Sequence, residues 1–217
     1  MLSAAAQDMG IPLQNVALSL FAAYHRELIA WNEKMNLISE TTSRNIPIKH
    51  FIDSLTPLPF MPNPSARMLD IGSGAGFPGI PLKIAAPSLS MCLVESSRKK
   101  TSFLKHIIRT LALADITVIH NRVESLMEDE RYGNSFDIVI SRATMKLSLL
   151  LHIGSRFLNL GGMVVAMKGN HVADELQDAV KCYDLDGLAY VACHEIRLPV
   201  TQETRNIVLF KKVRQTG

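Results

Sequence analysis

The sequence predicts an α/β fold: a doubly wound, mostly parallel seven-stranded sheet behind a helical N-terminal cap. Three observations carry that expectation. After a proline cluster at Pro57, Pro59, Pro62 and Pro64, short apolar runs alternate with helical periods, the pattern of strand–helix–strand units. The first apolar run ends in the loop Asp70-Ile-Gly-Ser-Gly-Ala-Gly76, placed where an open α/β sheet forms its ligand crevice. The last two runs are joined by a loop containing Pro199 and no helical pattern, so they should form an antiparallel hairpin at one sheet edge.

Along the chain, Val16, Leu20, Tyr24, Leu28, Trp31 and Met35 recur at steps of three or four and predict one amphipathic helix over 13–38. A second helical run spans Ile46 to Leu58. The prolines then punctuate the chain, dividing a cap at 1–62 from a core at 63–217. Strands are expected at Arg67–Ile71, Ser90–Val94, Ile116–His120, Phe136–Ile140, Met163–Met167, within Gly187–Arg197, and at Ile207–Lys211. Helices are expected at Pro78–Ala86, with Pro78 as first residue, and at Arg98–Leu111, Lys146–Leu158 and Ala173–Tyr183. No internal repeat or low-complexity tract interrupts this order.

With 217 residues, the length suits one domain with an appendage. Apolar residues at 47% and charged residues at 20% exclude disordered, collagen-like and coiled-coil classes. The net charge of +3 is small, but its distribution is uneven. Residues 93–122 hold six Lys/Arg against two acids, and residues 197–217 hold five against one. Two basic segments on an otherwise acidic body suggest an anionic partner met by one face; scattered solubilising lysines are the plainer reading. Cys92, Cys182 and Cys193 form no CxxC pair, so no disulfide framework, zinc ribbon or other metal site is expected. No run approaches about 18 apolar residues, and Met1–Gly10 lacks the basic and apolar regions of a signal peptide. A cytoplasmic protein without membrane attachment is expected.

The chemistry should sit at the glycine loop. Gly72, Gly74 and Gly76 let the backbone adopt positive φ and approach a ligand closely. Gly74-x-Gly76-x-x-Gly79 formally matches a dinucleotide fingerprint, which would make the chain a dehydrogenase. Two features disfavour it: Asp70, Ile71 and Gly72 intervene after the strand, and Pro78 removes an N–H that a pyrophosphate would use. An acid at the strand end followed by Gly-x-Gly-x-Gly suits S-adenosylmethionine, with Asp70 meeting the methionine ammonium directly or through water. Glu95, ending the second strand, can accept hydrogen bonds from both ribose hydroxyls; otherwise it is a solvated acid beside Arg98 and Lys99. Arg122-Val123-Glu124 follows the third strand, where backbone groups could hold an adenine. The fourth strand ends in Ser141-Arg142-Ala143, without the Asn/Asp-Pro-Pro-aromatic run of adenine amine methylation. No cysteine stands where pyrimidine C5 methylation needs one. A nucleophile with its own lone pair is the simplest acceptor left.

The blocks Trp31-Asn-Glu-Lys-Met-Asn-Leu37, Lys49-His-Phe-Ile-Asp-Ser-Leu55, the glycine loop, Ile140-Ser-Arg-Ala143 and Ala166-Met-Lys-Gly169 closely resemble the glucose-inhibited division protein B family. Members are bacterial 16S ribosomal RNA guanine-N7 methyltransferases, and the resemblance runs in order from about residue 25 to 212. It implies a class I, Rossmann-like methyltransferase core with a helical cap, S-adenosylmethionine as cofactor, and a guanine of 16S ribosomal RNA or the small subunit as target. Carried over by position, Gly72, Phe77, Val123, Glu124 and Arg142 match cofactor-binding positions. Family members often have Asp where this chain has Glu95. Arg142, Lys168, His50 and Asp53 become catalytic candidates, with His50 and Asp53 one helical turn apart and able to pair. Arg197, Arg205, Lys211, Lys212 and Arg214 are assigned to RNA as a charge cluster. Trp31, at core spacing with Tyr24, Leu28 and Met35, reads as a packing residue. A monomer is expected. The rival readings are a small-molecule methyltransferase, which needs no basic face, and a non-catalytic RNA-binding assembly factor, which would lack the acid–glycine–acid set.

Overall fold

The computed structural model describes residues 1–217 except 40–44, 62, 143–144, 171, 181–185 and 216–217. Pro62, Ala143, Cys182 and Tyr183 of the sequence reading therefore lie outside the described residues. Seven strands are present: β1 (Arg67–Ile71), β2 (Ser90–Glu95), β3 (Ile116–His120), β4 (Phe136–Arg142), β5 (Leu158–Lys168), β6 (Leu188–Arg197) and β7 (Thr204–Lys212). They hydrogen-bond in the order β3-β2-β1-β4-β5-β7-β6. β1 to β5 are parallel, and β7 runs antiparallel to both β5 and β6, which is the edge hairpin that the Pro199 loop predicted. The order reverses between β1 and β4, so a crevice opens beyond their carboxyl ends.

The helices are α1 (Leu2–Asp8), α2 (Asn15–Met35), α3 (Gly79–Ala85), α4 (Arg98–Thr110), α5 (Val123–Leu126), α6 (Leu147–Phe157) and α7 (Val172–Val180). Between α2 and β1, a π-helical segment Pro47–Ile52 runs straight into the α-turn Asp53–Leu55. Side chains alternate across each strand, so the sheet buries two faces. On one face, Met68, Leu93 and Leu209 pack with Phe21, Tyr24 and Leu28 of α2 and Phe103 of α4. On the other, Leu69, Val139 and Phe210 pack with Leu150 and Phe157 of α6. The N-terminal helix α2 thus shares one core with the sheet. α1 packs Ala5 and Ala6 against Ile48, Ile52 and Leu198. None of the described helices is long and apolar enough to cross a membrane.

Several boundaries shift for local reasons. α2 ends at Met35, because Asn36 adopts a left-handed φ of 49° and its N–H closes on the Asn32 carbonyl, a common helix stop. Its buried stripe begins with Ala17 and Phe21, while Val16 is 70% exposed; a 3.6-residue period rotates the stripe by one position. Pro78 caps α3, and Gly79 is its first residue. β4 continues past Ile140, so Ser141 and Arg142 lie on the strand itself. The single-turn helix α5 replaces an expected loop, and α1 also went unanticipated; both are too short to show a period.

Candidate active site

The glycine loop takes its shape from three directions. Gly72, Gly74 and Gly76 have φ of 73°, 58° and 103°. A Cβ on Gly76 would lie 2.6 Å from Ile80 Cδ1 and 2.7 Å from Tyr24 Oη, so only glycine fits there. Tyr24, fully buried on α2, donates its hydroxyl to the Ala75 carbonyl at 2.5 Å. Burial pushes its pKa well above the usual phenol value, so it stays a donor. From below, Asp70 Oδ2 accepts the Gly79 N–H at 3.0 Å at the start of α3.

Asp70 corrects the sequence expectation. Its residue is 0% exposed and lines neither cavity beside the loop. It faces α3 under the loop, because alternation along β1 turns its side chain away from the crevice. Burial raises its pKa to about 7, against hydrogen bonds from Gly79 and Ser73, and its Oδ1 has no partner among the described residues. Asp70 therefore shapes the loop from beneath, through the Gly79 N–H.

Three cavities follow the carboxyl edge of the sheet. The first, about 440 Å³, lies between Gly72, Glu95, Asn121, Val123 and Glu124. Glu95 is nearly buried and is no solvated acid: its Oε2 accepts the Gly74 N–H at 2.9 Å and its Oε1 the Ser97 N–H at 2.7 Å. The second, about 280 Å³, is bounded by Leu37, His50, Gly74, Phe77 and Arg142. The third, about 340 Å³, is bounded by Lys49, Asp53, Arg142, Lys168 and Arg205. Gly72 and Lys100 belong to both the first and second; His50 and Arg142 belong to both the second and third. The three cavities therefore adjoin in a row along the carboxyl edge and share walls, forming a groove.

Around the last two, charged side chains form a chain of contacts. His50 and Asp53 do not pair with each other; both meet Arg142. Arg142 Nη1 reaches Asp53 Oδ2 at 3.2 Å, and Nη2 donates to His50 Nδ1 at 3.0 Å. The guanidinium also lies 4.8 Å over the Phe77 ring, a cation–π contact. Asp53 Oδ1 accepts from Arg205 Nε at 3.0 Å, Arg205 Nη2 meets Glu203 at 2.8 Å, and Lys49 meets Glu203 at 3.0 Å. Burial raises the pKa of Asp53, with Arg142 and Arg205 pulling the other way. Burial, then Arg142 and Lys49, lower that of His50 to about 3. Lys168 lines the groove, but its ammonium is held by Glu175 at 2.7 Å and the Met145 carbonyl at 2.6 Å.

The C-terminal charge cluster separates in space. Lys168 at the carboxyl end of β5 pairs with Asn206, whereas Met163 pairs with Lys211. Arg205 therefore lines the third cavity and Arg197 stands at the same end of the sheet, whereas Lys211, Lys212 and Arg214 lie at or beyond the opposite edge. Lys212 is a second correction. It is 2% exposed, and its Nζ donates to Asn134 Oδ1, Ser155 O and Leu158 O at 2.8, 2.6 and 3.1 Å. It ties the hairpin to α6 and cannot reach RNA phosphate. The structure also adds residues that sequence reasoning missed. Tyr24 looked like any aromatic of a core stripe; Lys100, shared by two cavities, was one lysine among six basic residues; Lys49 opened a matching block without being singled out, and Glu203 gave no signal. Trp31 packs against Phe103 and His106 with ring centroids 5.4 and 5.0 Å apart.

Comparison with known proteins bears on family and fold. The GidB family model, rRNA small subunit methyltransferase G, matches residues 17–207. The chain is 43% identical to the ribosomal RNA small subunit methyltransferase G of Syntrophus aciditrophicus over 96% of its length and 87% of that protein. It is 36% identical to the protein of the same name from a Geobacillus species, covering 97% of this chain and 89% of the relative. Among solved structures, a SAM dependent methyltransferase from Aquifex aeolicus superposes with a TM-score of 0.60 at 14% identity, over 78% of this chain and 94% of that one. M. jannaschii TYW2 in complex with AdoMet gives 0.57 at 17% identity, over 74% of each chain; both show the same class I methyltransferase fold. In sequence along nearly its whole length, and in fold, the chain belongs to the rRNA small subunit methyltransferase G family.

Proposed function

We propose that this S-adenosylmethionine-dependent methyltransferase moves a methyl group to N7 of a guanine in 16S ribosomal RNA, and that the row of adjoining cavities on the carboxyl edge, the groove, holds both reactants. The groove is the observation that carries the reading. Its Glu95 end suits the nucleoside of the cofactor, with Val123 and Glu124 beside the adenine and Gly72, Gly74, Gly76 and Phe77 beside the methionine. A Cβ on Gly74 would meet only the Gly72 carbonyl, at 3.9 Å, so the loop leaves open space for a ligand body. Pro78 offers no N–H where a pyrophosphate would sit, which favours a cofactor without phosphate over a dinucleotide. Residues 1–62 form the helical N-terminal section, whose α2 shares its core with the sheet of 63–217, and the protein works as a cytoplasmic monomer on ribosomal RNA.

S-adenosylmethionine supplies an electrophilic sulfonium methyl group. The chain's own residues place the acceptor. Guanine N7 carries a lone pair and no proton, so no general base is required. The geometry suits that demand: both Asp53 oxygens are engaged by guanidinium groups, and His50 Nδ1 is engaged by Arg142. Arginine stays protonated, so Arg142 orients and balances charge. Catalysis then rests mainly on placement, where effective molarity supplies roughly 7–11 kcal/mol. Arg205 in the groove, with Arg197 at the same end of the sheet, favours RNA over a small neutral acceptor. Methyl transfer from labelled cofactor to naked 16S RNA and to assembled small subunits, with the modified nucleoside identified by mass spectrometry, tests the reading. Labelled 7-methylguanosine supports it; a different nucleoside, or tight NAD binding with no S-adenosylhomocysteine binding in calorimetry, overturns it.

A further inference from the structure

His50 is the buried polar group whose chemistry the methyl transfer leaves unused. Its ring stacks on Phe77 with centroids 4.5 Å apart at 14°, beside the Arg142 guanidinium that lies over the same ring. Arginine has donors and no acceptor, so the 3.0 Å contact from Arg142 Nη2 makes His50 Nδ1 the acceptor. The imidazole proton is thereby fixed on Nε2. That Nε2 is buried and has no partner among the described residues, although the ring lines both the second and third cavities. A buried donor left unmade carries a desolvation cost, which an acceptor arriving in the groove removes. Burial, Arg142 and Lys49 together keep the ring neutral far below pH 7, so its pattern of one acceptor and one donor is constant under working conditions.

We infer that His50 is a specificity-determining residue, whose Nε2–H donates to the carbonyl oxygen beside the methyl-accepting nitrogen and so selects a 6-oxopurine over a 6-aminopurine. The inference rests on the guanine-N7 reading. Guanine presents N7 and O6 as neighbouring acceptors, whereas adenine presents N7 beside an amino donor. Adenine would set donor against donor and leave the imidazole N–H without an acceptor. A site built around one hydrogen bond rejects the analogue that lacks it. Arg142 contributes by positioning: its grip on Nδ1 holds the ring in the tautomer that presents the donor.

The test uses the full-length protein, S-adenosylmethionine and naked 16S RNA in which the guanine methylated by the wild type has been mapped. That position is replaced by inosine, which keeps the 6-oxo group, or by 2-aminopurine, which lacks it. The wild type should methylate inosine about as well as guanine and 2-aminopurine about 10- to 100-fold more slowly. His50→Phe keeps the stack but loses both the donor and the Nδ1 that Arg142 grips; it should slow guanine and inosine by a similar factor and 2-aminopurine clearly less. Nitrogen NMR of the wild type should show a neutral ring protonated at Nε2. Equal losses on all three bases would make His50 a positioning residue only and overturn the inference, while leaving N7 methylation standing. Should His50→Phe fail to fold, equal wild-type rates on inosine and 2-aminopurine overturn it alone. A wild-type product other than 7-methylguanosine would overturn both readings together.

Discussion

Arg205 and Lys212 stand at opposite ends of β7, roughly 20 Å apart at the usual rise of a strand, and they do opposite work. Arg205 sits among Asp53, Glu203 and the groove, partly exposed to solvent. Lys212 is buried, its ammonium closed in by an amide oxygen and two carbonyls. In the sequence both belong to one basic segment. A strand, however, crosses the sheet from one edge to the other, so neighbours in a charge count become residents of different surfaces. Only the edge where β1 to β5 end carries the groove. The far edge is scaffold, and its lysine is spent on holding the hairpin against α6.

The largest effect separating the two ends should be on stability. Lys212→Ala leaves three buried acceptors without their donor and should destabilise the fold by about 3 kcal/mol, read by urea unfolding. Its transfer rate per folded molecule should match the wild type; a lost rate with intact stability would place Lys212 in the chemistry after all. Two buried groups, His50 in the groove and Asp70 beneath the glycine loop, should instead govern pH dependence. His50 titrates near 6.5 when unfolded and near 3 in the fold, so below 6.5 the unfolded chain gains a proton that the native chain does not, and stability falls with falling pH. Asp70 moves from 3.8 to about 7, so the native chain keeps a proton that the unfolded chain loses, and stability falls with rising pH. Between pH 3.8 and 6.5 the two oppose each other. His50→Phe should expose a stability that declines with pH, and Asp70→Asn one that climbs, each by up to about 1.4 kcal/mol per pH unit. Parallel slopes in the two variants would refute the opposition. A smaller effect is expected from Arg205→Ala, which frees one Asp53 oxygen: methyl transfer should drop about tenfold, or 1.4 kcal/mol, with little change in unfolding. A variant that unfolds but keeps its specific activity would move Arg205 to the scaffold.

Much of the fold was legible because the core strands are nearly continuous apolar runs, and parallel strands buried on both faces read that way. The glycine loop was legible because positive φ restricts residue type, and Gly76 confirms the restriction by the closeness of Tyr24 and Ile80. Glu95 was expected at the end of the second strand, and β2 does end there. Asp70 was placed on the right strand and given the wrong direction, because the sequence shows that a strand ends in an acid but not which face the acid takes. Arg142, His50 and Asp53 came from matching blocks; their contact spans 89 to 92 residues of chain, a juxtaposition no local pattern encodes. Lys212 was misread since a buried lysine and a surface lysine share one letter, and the carbonyls that hold it come from a loop and from α6 and β5.

The division between the two edges meets its sharpest test in one pair of residues on the same hairpin. Arg197 and Lys211 are both exposed; Arg197 pairs with Thr204 at the groove edge, and Lys211 with Ala189 at the far edge. Binding of 16S RNA should be measured against salt concentration for Arg197→Gln and Lys211→Gln beside the wild type. A lost phosphate contact flattens the log–log slope by about 0.7 to 0.9. Arg197→Gln should show that loss and Lys211→Gln the wild-type slope. A flattened slope for Lys211→Gln with Arg197→Gln unchanged would place the RNA on the far edge and contradict the account.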